Sequence, residues 1–290
     1  MTSKSWAGRQ GESGGAEFAV GDGRTHLNTN LMGASLVRTD LADQTDVAVE
    51  VAMLPNCAVV AVGGSSIMDR GAKAVLPLVD AIVAARADND FVIGVSGGAR
   101  LRHVFHIGID LGIPTGGLAQ AAGASEEQNV AMLQHLMARH GAVMLKRDHF
   151  DDAAMYLKNG LIPLVISVPP YHYWEPPPRA GRIPENGSDL GMFMTAEALG
   201  ARCCIFVKDQ DGLYTDDPVT NPDAEFIPRI GAQELIDREL PSIIVDRMLI
   251  ETLRNARFVR QIQIINGLKP DLLARALSGE PVGTIIYRED

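Results

Sequence analysis

Cysteine is scarce in this chain, with three residues, Cys57, Cys203 and Cys204. The adjacent pair has neither metal-ligand spacing nor the geometry of an ordinary disulfide. That excludes a disulfide-stapled secreted scaffold and a cysteine zinc site, and it predicts a reducing, cytoplasmic setting. Long apolar runs are missing as well. The stretch 161–170 is far shorter than the roughly 20 residues of a membrane-spanning helix and is broken by proline, and no apolar signal core opens the chain. A basic excess is also absent: 26 Lys and Arg stand against 36 Asp and Glu, a formal net charge of -10. This excludes the broad basic face that nucleic acid or an anionic membrane requires. It does not exclude small anions, because N–H groups in glycine turns and at helix starts bind oxyanions locally whatever the total charge. There is no Walker A motif, no His-Glu-x-x-His and no internal repeat.

What is present is enough apolar residue, 46% of 290, for one sizeable core. Residues 1–50 are rich in Gly, Ser, Thr and Asp and lack a sustained period, so they form an N-terminal extension, either a tail or an arm docking on a neighbouring subunit. Residues 51–290 form the globular domain. There, short β-branched runs at 58–62, 91–95, 164–168, 204–207 and 261–265 alternate with segments of helical period. The alternation predicts an α/β fold with a mostly parallel sheet. A helix is expected over 72–87, with Val75, Leu76, Val79, Ile82 and Val83 on one stripe. A second is expected over 126–140, entered through the capping-box pattern Ser125-Glu126-Glu127-Gln128 and stopped at Gly141. The prolines at 169, 170, 176, 177, 178 and 184 surround Tyr171-His172-Tyr173-Trp174-Glu175 and rule out regular helix or central strand there.

Two strands run into glycine turns, Gly63-Gly64-Ser65-Ser66 and Ser96-Gly97-Gly98-Ala99-Arg100. In a parallel sheet both lie at the carboxyl edge, where ligands of open α/β sheets bind, and glycine there lets a ligand approach the backbone. Arg100 and Arg102 are candidates to clamp a phosphate or another oxyanion; a solvated helix face is the alternative for Arg102. A third strand leads into Lys208-Asp209-Gln210-Asp211-Gly212-Leu213-Tyr214-Thr215-Asp216-Asp217-Pro218. Its Asp-Gly turn, Tyr214 and Lys208 suit a flat base and its phosphates. Alone, Asp211-Gly212 would read equally as a hairpin turn. Asp69 and Arg70 are assigned to structure, as an ion pair or helix start behind the first turn.

The ordered set Val62-Gly63-Gly64, Ser96-Gly97-Gly98-Ala99, Ser188-Asp189, the 207–218 stretch and Gly279-Glu280-Pro281-Val282-Gly283-Thr284-Ile285-Ile286 resembles the amino-acid-kinase superfamily across roughly 56–288, nearest to bacterial uridylate kinases. A narrower resemblance is to the molybdenum storage proteins, uridylate-kinase relatives that hold molybdate or tungstate as polyoxometalate clusters inside a hexameric cage and load it with ATP. It is carried by Met68-Asp69-Arg70-Gly71, Leu78-Val79-Asp80, Arg102-His103-Val104-Phe105, Gln128-Asn129, Pro169-Pro170-Tyr171-His172, 259–268 and Gly283-Thr284-Ile285-Ile286.

The resemblance implies a three-layer αβα architecture and a hexamer built as a trimer of dimers, either of this chain alone or with a paralogous chain. It implies ATP over Gly63, Gly64, Ser65, Gly97, Gly98, Arg100, Lys208, Asp211, Gly212, Tyr214, Asp217 and Pro218, with Mg2+ bridging the phosphates and Asp189 and Lys208 at the transfer site. His172, Glu175, Gln128 and Asn129 are the implied donors to a metal-oxide cluster. Packing of the 171–174 aromatics as a core cap or subunit contact is the alternative for the proline-rich segment.

Two departures separate the chain from uridylate kinases. The lysine expected two residues before Gly63-Gly64, which would stabilise a transferring phosphoryl group, is Ala61, and the ribose-binding Asp expected near the start of the 126–140 helix is missing. Storage tolerates these losses better than nucleoside monophosphate kinase activity does. A catalytically silent nucleotide-binding subunit is the third reading.

Overall fold

The computed structural model describes residues 17–20, 25–28, 51–146, 149, 152–167 and 187–289. The chain divides into two units, 1–50 and 51–290. In the first, β1 (Glu17–Val20) pairs antiparallel with β2 (Thr25–Asn28). Strands of four residues are too short to stand out as a sustained period in the sequence.

The second unit is an eight-stranded sheet between helices. In chain order its elements are β3 (Ala58–Val62), α1 (Ala72–Ala85), β4 (Phe91–Val95), α2 (Gly98–Asp110), α3 (Thr115–Met137), β5 (Ala142–Met144), α4 (Ala153–Lys158), β6 (Ile162–Ile166), α5 (Ser188–Leu199) and β7 (Cys203–Lys208). There follow β8 (Leu213–Tyr214), β9 (Phe226–Ile227), β10 (Arg229–Gly231), α6 (Ala232–Asp237), α7 (Arg247–Arg254), β11 (Gln261–Asn266), α8 (Asp271–Leu277) and β12 (Thr284–Tyr287). The sheet order is β10-β12-β11-β7-β3-β4-β6-β5; β8 and β9 make a separate ribbon. All neighbours in the large sheet are parallel except β11 and β12.

Burial on both sides explains why the strands read as near-continuous apolar runs. On β3, Ala58, Val60 and Val62 face a core built with α1, α3 and α8, whereas Val59 and Ala61 face the opposite core under α5, α6 and α7. Three layers result. The two thiols deepest in the sheet stay protonated: burial and the neighbouring Asp90 push Cys57 up to about 12, and burial raises Cys204 well above its usual value.

Three expectations are corrected. The second long helix begins at Thr115, behind Pro114, and Ser125 lies buried in its middle. Gly116, Gly117 and Gly123 dilute the apolar period of its first half, so the cap-like tetrapeptide imitated a start. Gly108 of α2 faces Leu118 with no room for a Cβ, so α2 and α3 meet closely. Strand β6 begins two residues before the expected 164. Pro163 stands inside it: the Ile162 amide donates toward β5, so position 163 faces β4, whose pairing with β6 begins only at Leu164, and the missing N–H falls at the start of that ladder. Helix α1 ends at Ala85 and contains Pro77.

Candidate functional site

Strands β3, β4, β6, β7 and β11 end at one edge. The chain leaves β3 toward β4 on one side and later returns to β7 on the other, and such a reversal opens a crevice at the carboxyl ends. The first glycine turn lies there. The Gly63 amide donates to the Val207 carbonyl at 3.0 Å, and the Gly63 and Gly64 carbonyls accept from Ile67, Met68 and Asp69 at 2.9–3.2 Å. The turn thereby curls so that the amides of Gly64, Ser65 and Ser66 meet no acceptor among the described residues. Consecutive unfilled amides of this kind form a concavity suited to an oxyanion.

The second turn touches the first. A Cβ on Gly64 would overlap the backbone N and Cα of Gly98. Gly98 itself has φ +67°, and a Cβ there would strike the Asp69 carboxylate. Asp69 accepts the Ala99 amide at 2.6 Å, so a carboxylate of the chain already occupies the start of α2. Arg70 pairs with Asp209 at 2.5 Å and ties the first turn to the end of β7. Both residues have the structural roles their sequence context suggested. Arg100 bonds the side-chain oxygen of Asn129, whose amide donates to the Ser96 carbonyl at 2.6 Å, and Ser188 donates to the Ser96 hydroxyl at 2.9 Å.

At the floor of the crevice the Lys208 ammonium donates to both Asp189 oxygens at 2.8 Å, with both side chains buried. Burying either charge alone would be costly; together they hold a fixed dipole at the end of β7. A third charge lies beside them. Asp246, just before α7, accepts the Leu190 amide at 3.0 Å and also the Asp189 amide, and Gly187 passes so close that a Cβ would overlap the carboxylate. Burial, and next the charge of Asp189, push the Asp246 carboxyl up to about 6, while the α5 amides and Lys208 act in the other direction.

The loop after β7 is held by its own polar groups. Asp211 accepts from Asn266 at 2.8 Å and from Lys269 at 2.5 Å, and these bonds lower its carboxyl below the usual range. Gly212 lies against Thr284, whose hydroxyl accepts the Leu213 amide and donates to the Ile227 carbonyl. Tyr214 meets Phe226 edge to face at 5.4 Å. Asp217 accepts the Val219 amide on its side chain and the Asn221 amide on its carbonyl, shaping the turn around Pro218.

This arrangement can be set beside known proteins. A model of the amino acid kinase family matches residues 56–266. The chain belongs to the amino acid kinase family. It is 41% identical to the molybdenum storage protein subunit beta of Azotobacter vinelandii over 90% of this chain and 96% of that one. A uridylate kinase of Corynebacterium glutamicum is 33% identical across 37% of this chain, which spans 46% of that relative. The crystal structure of uridylate kinase from Archaeoglobus fulgidus superposes with a TM-score of 0.63 at 20% identity, covering 79% of this chain and 99% of that one, a likeness of fold.

Among amino acid kinases, the resemblance to uridylate kinases leads one to expect a lysine where this chain has Ala61. Ala61 is buried in the core shared by Leu190, Met192 and Phe193, and Met192 lies over Gly94, its cross-strand neighbour. An apolar side chain thus fills that layer.

The remaining sequence candidates are distributed unevenly. The two glycine turns, Lys208 and Asp189 come together at one edge, with the 209–225 loop continuing from β7. Gln128 and Asn129 diverge, Gln128 exposed and Asn129 buried and committed to Arg100 and Ser96. His172 and Glu175 lie outside the described residues. Asp246 was not among the candidates, because Asp before a helical run reads as an ordinary N-cap. Among the described residues no group of His, Cys, Asp and Glu forms a metal site, and no helix is long and apolar enough to cross a membrane.

Proposed function

We propose that the chain stores molybdenum, taking molybdate or tungstate as oxyanion cargo into polyoxometalate clusters within an oligomeric cage, and that it binds ATP with Mg2+ at the carboxyl edge of its sheet. The observation that carries this reading is the 41% identity to a molybdenum storage subunit along nearly the full length of both chains. The unfilled amides of Gly64, Ser65 and Ser66 fit a phosphate group, and Lys208 supplies a positive charge near it. Tyr214 would lie beside the adenine, Asp189 would orient Lys208, and Mg2+ bound with the nucleotide would offset phosphate charge. Of the cluster donors, Asn129 is committed to internal bonds, so Gln128, His172 and Glu175 remain. The cage is a hexamer, a trimer of dimers of this chain alone or with a paralogous chain, in the cytoplasm.

Protein purified from cells grown in molybdate should carry many molybdenum atoms per chain by elemental analysis, and the stripped protein should take molybdate up again with MgATP. Metal-free protein that also fails to reload would overturn the reading. Uridylate kinase activity is a second reading, favoured by the fold and by the Lys208–Asp189 pair; turnover of UMP with ATP above background in a coupled assay would establish it. Ala61 and the apolar filling around it lead us to expect none.

A further inference from the structure

We propose that Asp246 couples proton uptake to anion binding at the Lys208 end of the crevice, so that oxyanion or phosphate groups bind with a proton. The inference rests on the reading of this edge as an anion site and assigns its regulation.

Three charged groups share the floor: the buried Lys208 on β7 and Asp189 on α5, and the partly buried Asp246 ahead of α7. With all three ionised the cluster carries one net negative charge, at the end of β7, where the Val207 carbonyl holds the first glycine turn. Asp189 offsets part of the Lys208 charge through two 2.8 Å bonds, so the attraction left for an anion depends on the third group. The remaining adjustable charge is Asp246. Its carboxylate takes the amides of Asp189 and Leu190, so it also fixes the start of the helix that carries Asp189. The charged groups facing it are Asp189 and Lys208. The Cys204 thiol, on β7 near Asp189, stays neutral, and neighbouring Arg247 is turned away onto the Leu240 and Pro241 carbonyls. A negative ligand arriving near this cluster raises the proton affinity of Asp246 further, and by linkage a proton on Asp246 strengthens ligand binding by the same factor. An upward-displaced carboxyl places the change in the range from about pH 5 to 8.

The test measures MgATP affinity of the full chain from pH 5.5 to 7.5 for the unmutated protein and for Asp246→Asn, which keeps an oxygen for the Leu190 amide. ATP's own titration is common to both proteins. The unmutated protein should bind about tenfold tighter at the acid end relative to the variant, whose affinity follows the nucleotide alone. An identical pH dependence in both overturns the coupling and leaves the nucleotide reading standing. No binding at any pH overturns both. Should Asp246→Asn not fold, inorganic sulfate, which does not titrate in this range, serves with the unmutated protein. Its affinity should rise toward low pH by a similar factor, and a flat profile overturns the proposal.

Discussion

Removing the ammonium of Lys208 would leave the Asp189 carboxylate buried with no compensating charge, a loss of about 3–5 kcal/mol for a broken buried pair. Lys208→Ala should therefore lower the urea midpoint strongly, while Lys208→Ala combined with Asp189→Ala recovers much of the loss. Additive single effects in that double-mutant cycle would show that the pair is not the source. Gly64 gives a second expectation at this scale. Gly64→Ala forces the two turns apart and should cost about 1–3 kcal/mol in a thermal melt, with MgATP affinity falling as the amides of residues 64–66 lose their alignment. Asp246 marks the limit of residue-level reading. Its sequence context gives a helix cap and hides the second helix that its carboxylate serves, because Leu190 is 56 positions away.

At the scale of elements, α5 is pinned at both ends. Asp246 takes the amides of its first turn, and Glu197 in its last turn accepts those of Arg257, Phe258 and Val259, the turn that leads into β11. Glu197→Ala leaves these donors without the carboxylate and should cost about 2 kcal/mol by chemical denaturation, with Glu197→Gln losing less. Strands β3 and β4 were legible to the residue because each is a fully buried run bounded by polar residues and glycine. The start of α3 was not, since a local cap pattern competed with a helix stabilised by tertiary packing through Leu118 and Ala122. Strands β8, β9, β10 and β12 were also missed. They are two to four residues long, and distant contacts such as the Thr284 hydroxyl bridging Leu213 and Ile227 define part of their pairing.

For the whole molecule, a net charge of -10 means that anions are bound only where local amides and paired cations overcome the general field. Raising ionic strength screens that field, so MgATP binding should weaken less with salt than it would in a basic protein; a steep salt dependence would point to a cationic surface not seen among the described residues. Native mass spectrometry should give six times the 31.1 kDa chain mass, or a mixed hexamer if a paralogous chain is present. The site was legible in the sequence as turns and loops on a common edge, because parallel topology forces those turns together. Which charges are already neutralised within the protein depended on pairings such as Arg70 with Asp209 and Asp211 with Lys269, across 139 and 58 positions.

The Met192 side chain over Gly94 has a consequence for redesign of the site. The layer around Ala61 is already filled by apolar side chains, so a longer polar residue has no space to enter it unaided. Ala61→Lys alone would drive an ammonium among Leu190, Met192 and Phe193, with a predicted loss of several kcal/mol and no gain of ATP hydrolysis. Installing a lysine at this position therefore calls for at least one companion change that opens space at Met192 or its neighbours, so the site cannot be converted one residue at a time without loss.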